Sequence, residues 1–174
     1  MQIEIDASDL VDLARHYDNA PAKAKKALAR AINHTGNVAM TRVRRALVKQ
    51  TGAAYGKIKD EVTGVNGNVG SPTYQIVARG RAMGLVHFNA RETRKGVSAR
   101  PWGKRRVFGG TFIARGQVYK RVGKGRLPIE KLWGPSIPTE LVKDASVFEF
   151  MATVRERLPA RVAHELSRAG LGGR

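Results

Sequence analysis

Residues 21–52 read PAKAKKALARAINHTGNVAMTRVRRALVKQTG, and this stretch decides the fold class. Ala24, Leu28, Ala31, Ile32, Thr35, Val38, Ala39, Val43, Ala46 and Leu47 recur at helical spacing. They predict one helix of about 30 residues, roughly 45 Å long at the standard rise. Pro21 suits its first turn, where the missing N–H costs nothing, and Gly52 suits the position just past its end. Lys23, Lys26, Arg30, Arg42, Arg44, Arg45 and Lys49 cover the remaining surface, which is either a solvated face or a binding one.

Upstream, Ser8-Asp9-Leu10 opens a short helix with Ser8 as N-cap and Leu10, Leu13, Ala14 and Tyr17 on one face, so residues 8–52 read as helical. Downstream, Tyr55 to Val62 suits another helical turn, and GVNGNVGSP at 64–72 reads as a flexible loop. From Thr73 the period changes to two, and residues 73–122 read as strand-rich. Residues 73–79 and 85–89 look like strands with 80–84 as the turn between them, and 97–100 and 105–108 are weaker candidates. Residues 111–115 and 117–122 flank Gly116 as a tight hairpin. The run LPIEKLWGPSIP at 127–138 holds three prolines and is expected to be extended or turn-like, not regular.

A final helix is expected over 145–169, capped by Asp144 or Ser146. Its apolar side would carry Phe148, Met151, Leu158, Val162, Leu166 and Ala169, with a kink or break at Pro159 and a frayed end at 170–174. The outcome is α+β: a mostly antiparallel sheet in the middle of the chain, packed by a long N-terminal helix and a C-terminal helix in one domain over 1–174.

The 174 residues carry 32 Lys+Arg against 14 Asp+Glu, a net charge of +18. By segment the net charge is −4 over 1–20, +8 over 21–49, zero over 50–78, +13 over 79–131 and +1 over 132–174. The excess therefore lies on one helix and one central block, which argues against a disordered basic tail. With no cysteine, disulfides, thiolate metal sites and cysteine nucleophiles are excluded. No run is apolar enough to span a membrane, and the acidic N-terminus lacks the order of a signal peptide, so synthesis in a reducing cytoplasm is expected.

His16, His34, His87 and His164 share no ligand-like spacing with Asp or Glu, so no metal is expected. Gly-x-Ser-x-Gly, Walker and HExxH patterns are absent, and the glycine-rich loop at 64–70 lacks the Lys-Ser/Thr of a P-loop. The chain reads as a non-enzyme without a cofactor or small-molecule substrate. Two features remain. In the basic block, Trp102 accompanies Lys104, Arg105 and Arg106, and Tyr119 accompanies Lys120 and Arg121, followed by Lys124 and Arg126. Such interleaving suits phosphates and stacked bases, and equally an acidic protein neighbour; Arg44 and Arg45 on the long helix could join it. The other feature is the hairpin strand with Phe112, Ile113 and Arg115, followed by the stiff apolar segment of Leu127, Pro128, Ile129, Lys131, Leu132, Trp133 and Pro135. That segment is either a coil returning the chain to the last helix or a preorganised docking element anchored by Trp133.

GTFIAR at 110–115, a short hairpin, a basic turn and RLPIEKLWGPS at 126–136 together resemble the central motif of the minor tail protein Z family of tailed phages and prophages. The basic helix with AINHT at 31–35 also fits, and the similarity extends over about residues 8 to 168. The resemblance implies a structural tail-completion protein in the virion tail, made in the host bacterial cytoplasm. It implies work near the head-proximal end beside terminator, tube and connector (neck) proteins, in tail assembly and head–tail joining near the DNA exit path. By analogy of role, copies would form a ring, a hexamer, about the tail axis. The family supplies no catalytic motif to carry over. The other reading is a freestanding, sequence-nonspecific nucleic-acid-binding protein with the same cations on phosphates.

Overall fold

A computed structural model of the chain describes residues 2–3 and 20–171; the helix expected from Ser8 and residues 172–174 of the C-terminal end lie outside these. Strand β1 (Gln2–Ile3) precedes helix α1 (Ala22–Thr51), followed by α2 (Tyr55–Glu61), β2 (Val62–Val65) and β3 (Gln75–Ala78). The chain continues through β4 (Ala82–Gly84), β5 (Arg91–Thr93), β6 (Gly96–Ala99), β7 (Arg106–Gly109), β8 (Thr111–Ala114) and β9 (Gln117–Arg121). It ends with β10 (Ile129–Lys131), β11 (Trp133–Ser136), α3 (Ile137–Leu141) and α4 (Asp144–Arg168). The fold is α+β, with α1 packed along α4 and antiparallel strands between them in sequence. The strands form four small sheets, ordered β1-β3-β2, β10-β9-β8, β11-β4 and β5-β6-β7.

Helix α1 follows its sequence pattern. Pro21 stands at the N-cap, Gly52 closes the C-terminus in the left-handed region at φ 74°, and Ala24, Leu28, Ala31, Thr35, Ala39, Val43 and Leu47 are buried. The core continues through Ile58, Val62, Ile76, Leu85, Phe88, Val97, Val118, Ile137, Leu141 and Phe150. Where α1 meets Tyr74, the residue before β3, a Cβ on Gly36 would lie 2.2 Å from Cγ of the Tyr74 ring. That ring is buried, and its hydroxyl donates to Asn37 Oδ1 at 2.8 Å, so moving it aside carries a cost. Gly36→Ala is therefore expected to destabilise the fold by about 1–3 kcal/mol through overpacking, as read by urea denaturation.

Several expectations need correction. Residues 85–89 are not a strand: Leu85–His87 form a 3₁₀ turn, and Leu85 and Phe88 are both buried. A three-residue repeat places i and i+3 on one side, and this periodicity was masked by the apolar run. The strand here is β4, inside the supposed turn at 80–84, paired with β11. The proline-rich segment is regular after all. Pro128 precedes β10, Pro135 falls where β11 shifts register between Trp133 and Ser136, and Pro138 lies in the first turn of α3. Each proline sits where its missing N–H breaks no ladder.

The loop after β2 is held rather than free: Asn33 on α1 donates to the Gly67 carbonyl and accepts from its N–H, both at 2.9 Å. Asn68 Oδ1 accepts from the Gly70 and Ser71 N–H groups as well. Helix α4 runs unbroken through Pro159, which lies on its exposed side, so the carbonyl orphaned by the proline can be hydrated. Lys143 occupies the N-cap of α4 without a side-chain cap bond, and Ser146 is buried. The buried face of α4 carries Ser146, Phe150, Thr153 and Glu165, whereas Phe148 is 71% exposed. Of the residues expected on the apolar side, Met151 packs against the core, Leu158, Val162, Leu166 and Ala169 are half-buried, and Phe148 alone is exposed.

Candidate docking face

Strands β8, β9 and β10 form an antiparallel sheet with Phe112 opposite Tyr119, Ala114 opposite Gln117, Ile129 opposite Arg121 and Lys131 opposite Tyr119. Alternation sends Phe112, Ala114, Tyr119, Arg121, Ile129 and Lys131 to one face, and Thr111, Ile113 and Val118 to the other. The second face is the inner one: Val118 is fully buried, Thr111 is buried and Ile113 packs against the core. The turn between β8 and β9 uses Arg115 at φ 47° and Gly116 at φ 67°. Two successive left-handed residues match the twist of a tight hairpin, so the turn has two residues where the sequence suggested Gly116 alone.

The outer face is concave, with a cavity of about 630 Å³ lined by Phe112, Ala114, Arg115, Tyr119, Arg121, Arg126, Leu127 and Ile129. Phe112 and Tyr119 pack with ring centroids 6.2 Å apart and planes tilted by 31°, and the Arg121 guanidinium lies 5.6 Å over the Phe112 ring. Leu127 is 72% exposed at the rim. Nearby, Lys131 Nζ lies 4.1 Å from the ring centroid of Trp133, itself about half exposed. Three arginines and no carboxylate line the cavity, so it presents donors and positive charge around an apolar floor. This suits a partner with a carboxylate or phosphate beside a flat or apolar group.

The basic β5-β6-β7 sheet is fixed next to this face. Glu92 on β5 accepts the Ile113 N–H at 2.7 Å, and Thr111 Oγ1 accepts the Val97 N–H at 2.8 Å while donating to the Phe108 carbonyl at 2.6 Å. These bonds bind the β5-β6-β7 sheet, with exposed Arg91, Arg94, Lys95, Arg105 and Arg106, to the edge of the docking sheet. Arg105 also donates to Ser98 Oγ at 3.1 Å.

Of the residues singled out in the sequence, Phe112, Arg115, Arg121, Arg126, Leu127 and Ile129 converge on the cavity. Lys131 and Trp133 flank it, and Pro128, Lys120 and Lys124 are exposed close to it in the chain. Ile113, Leu132 and Pro135 belong elsewhere: Ile113 and Leu132 pack on the core and Pro135 is buried. Lys104, Arg105 and Arg106 lie at or next to β7, on the neighbouring sheet. Arg44 is committed internally, its Nε and Nη2 donating to the Val62 carbonyl at 3.1 and 2.5 Å. Arg45 is exposed in a second groove of about 570 Å³ with Arg42, Lys49 and Phe148.

Phe148, expected on the apolar side of the last helix, is exposed instead. Phe148 and Phe150 lie two positions apart and cannot share a helix face, which was the available signal. Among the described residues no group of three or more His, Asp or Glu side chains could hold a metal ion, and no helix is long and apolar enough to cross a membrane. Comparison of the chain with family models, with curated proteins and with solved structures finds no match.

Proposed function

We propose that this chain is a structural minor tail, or tail-completion, protein of a tailed phage or prophage, acting in tail assembly and head–tail joining. The observation that supports this most is the exposed outer face of β8-β9-β10. It is built from the same segments, 110–115 and 126–136, that resemble the minor tail protein Z motif. A cavity with exposed Leu127, paired rings and three arginines serves contact, not bond making. Its partners would be acidic, apolar-tipped surfaces of terminator, tube or connector subunits, with copies of the chain arranged as a ring about the tail axis. The reading includes no catalysis, cofactor or membrane.

The test is complementation of a deletion with Arg121→Glu/Arg126→Glu. Both side chains are exposed, so the fold should be kept. Loss of a central docking contact should lower infectious or sedimentable particle yield by about tenfold or more, with unchanged circular dichroism. Normal yield from the double variant overturns the docking role of this face.

A second reading, a freestanding sequence-nonspecific nucleic-acid binder, is favoured by one specific feature: the Phe112–Tyr119 ring pair beside Arg121 would also stack bases. It requires binding that weakens steeply between about 50 and 200 mM salt as counterions are released. Titration with single- and double-stranded DNA at both salts decides it, and absence of binding at the lower salt excludes it.

A further inference from the structure

Thr35 on α1 is 2% exposed, and its hydroxyl has no hydrogen-bond partner. Helical threonines ordinarily return their hydroxyl to the carbonyl one turn earlier. Thr41 does so to Asn37 at 3.1 Å, Thr51 to Leu47 at 2.6 Å and Thr153 to Glu149 at 2.7 Å. Thr35 instead lines a cleft of about 330 Å³ between α1 and α4, together with His34, Glu156, Arg157, Ala160, Arg161 and His164. Arg161, which lines the same cleft, has its Nε buried without a hydrogen-bond partner, as the acceptor Glu165 Oε2 is, while Arg161 Nη2 donates to Glu165 at 2.6 Å.

The surrounding charge is positive despite three carboxylates. Glu165 is answered by Arg30 at 3.2 Å, Arg161 at 2.6 Å and Arg168 at 3.9 Å. Glu156 is answered by Arg42 at 2.7 Å and Arg157 at 3.8 Å. With Glu149, which also acts on Arg42, five arginines face three acids. A threonine, two arginines and two histidines line this cleft with Glu156, where the net charge is positive, and an oxyanion is the ligand that accepts from all of the donors.

We propose that this interhelical cleft is a phosphate-binding site, separate from the docking face and independent of the role assigned to that face. Thr35 Oγ1 and Arg161 Nε would donate at its floor, with His34, His164 and Arg157 closing over the anion. Occupation would join α1 to α4 at the level where Arg30 and Arg42 already cross-link them. The phosphate is either the free ion or a backbone phosphate of nucleic acid.

The full chain, in phosphate-free buffer, is titrated calorimetrically with inorganic phosphate. Thr35→Val keeps shape and net charge and removes an unsatisfied hydroxyl, so it should fold at least as well as the parent. It should bind phosphate about tenfold more weakly, the equivalent of one hydrogen bond to a charged group. Arg157→Gln should weaken binding similarly, while Arg121→Gln, on the docking face, should leave it unchanged. Short duplex DNA that competes with phosphate and loses affinity in Thr35→Val identifies the backbone phosphate as the source. DNA indifferent to Thr35 identifies the free ion. Absence of phosphate binding at millimolar concentration, or unchanged binding in Thr35→Val, overturns the site.

Discussion

Phe150→Ala is expected to destabilise the protein by about 3–5 kcal/mol, whereas Phe148→Ala, two residues away, should change stability by no more than about 0.5 kcal/mol. Phe150 is 2% exposed and belongs to the main core with Val43, Leu47 and Leu141. Truncating it removes a full aromatic burial and leaves a cavity that α1 and α4 cannot close. They are pinned together by the Arg42–Glu156 pair at 2.7 Å and the Arg30–Glu165 pair at 3.2 Å. Phe148 projects into the open groove beside Arg42, Arg45 and Lys49. Its loss removes little buried area, and freeing apolar surface from solvent can even raise solubility. Urea denaturation of both variants measures the contrast; equal losses would place both rings in the core and refute this helix orientation.

That contrast also marks what could be read from the chain and what could not. Helix α1 was legible because its small apolar residues recur with one period and end at Gly52, whose left-handed conformation the helix terminus uses. The β8–β9 hairpin was legible for a similar reason: alternation and a glycine turn are local signals. With its register known, parity alone gathers Phe112, Tyr119 and Arg121 on one face. The same parity puts Ile113 on the other, which a list of apolar residues ignores.

Helix α4 misled because its buried stripe is partly polar. Glu165 and Thr153 are buried there because Arg30, Arg161 and Arg42 reach them, and two of those arginines arrive from a helix more than a hundred residues earlier. Nothing local announces such compensation. The proline-rich segment misled in the opposite way. Three prolines argue against a central strand, yet edge strands, a register shift and a first helical turn all accommodate them. Regular structure there is decided by partners, β9 and β4, far away in the sequence.

Glu140→Ala is expected to cost about 3 kcal/mol at neutral pH, because it removes a buried anion on which several donors converge. Glu140 is 3% exposed. Its carboxylate accepts from Gln50 Nε2 at 2.6 Å, Trp102 Nε1 at 3.0 Å and Lys143 Nζ at 2.5 Å. These partners tie the end of α1, the turn at Trp102 and the start of α4 to α3. Trp102 sits at φ 53°, a left-handed conformation that is costly for a bulky residue and is held by this bond and the buried Pro101 before it.

Burial alone pushes the Glu140 carboxyl up, but the hydrogen bonds from Lys143, Trp102 and Gln50 outweigh it, so its folded-state pKa lies below the ordinary value. A depressed carboxylate stabilises the fold above the unfolded-state pKa, about 4.3, and that contribution is lost as pH falls through the folded value. Glu61 has the opposite sign: burial raises its pKa, so its contribution declines as pH rises from the unfolded value to the folded one. The whole protein mixes both slopes, and only the difference between parent and variant isolates Glu140. Glu140→Gln keeps an acceptor for Trp102 and should cost about half as much as the alanine variant at neutral pH, with the deficit shrinking toward about pH 3. Urea denaturation at both pH values, followed by tryptophan fluorescence, measures this. A deficit that is the same at both would mean that Glu140 acts by shape and neutral hydrogen bonds alone, and its charge would then have no part in holding the Trp102 turn against α1.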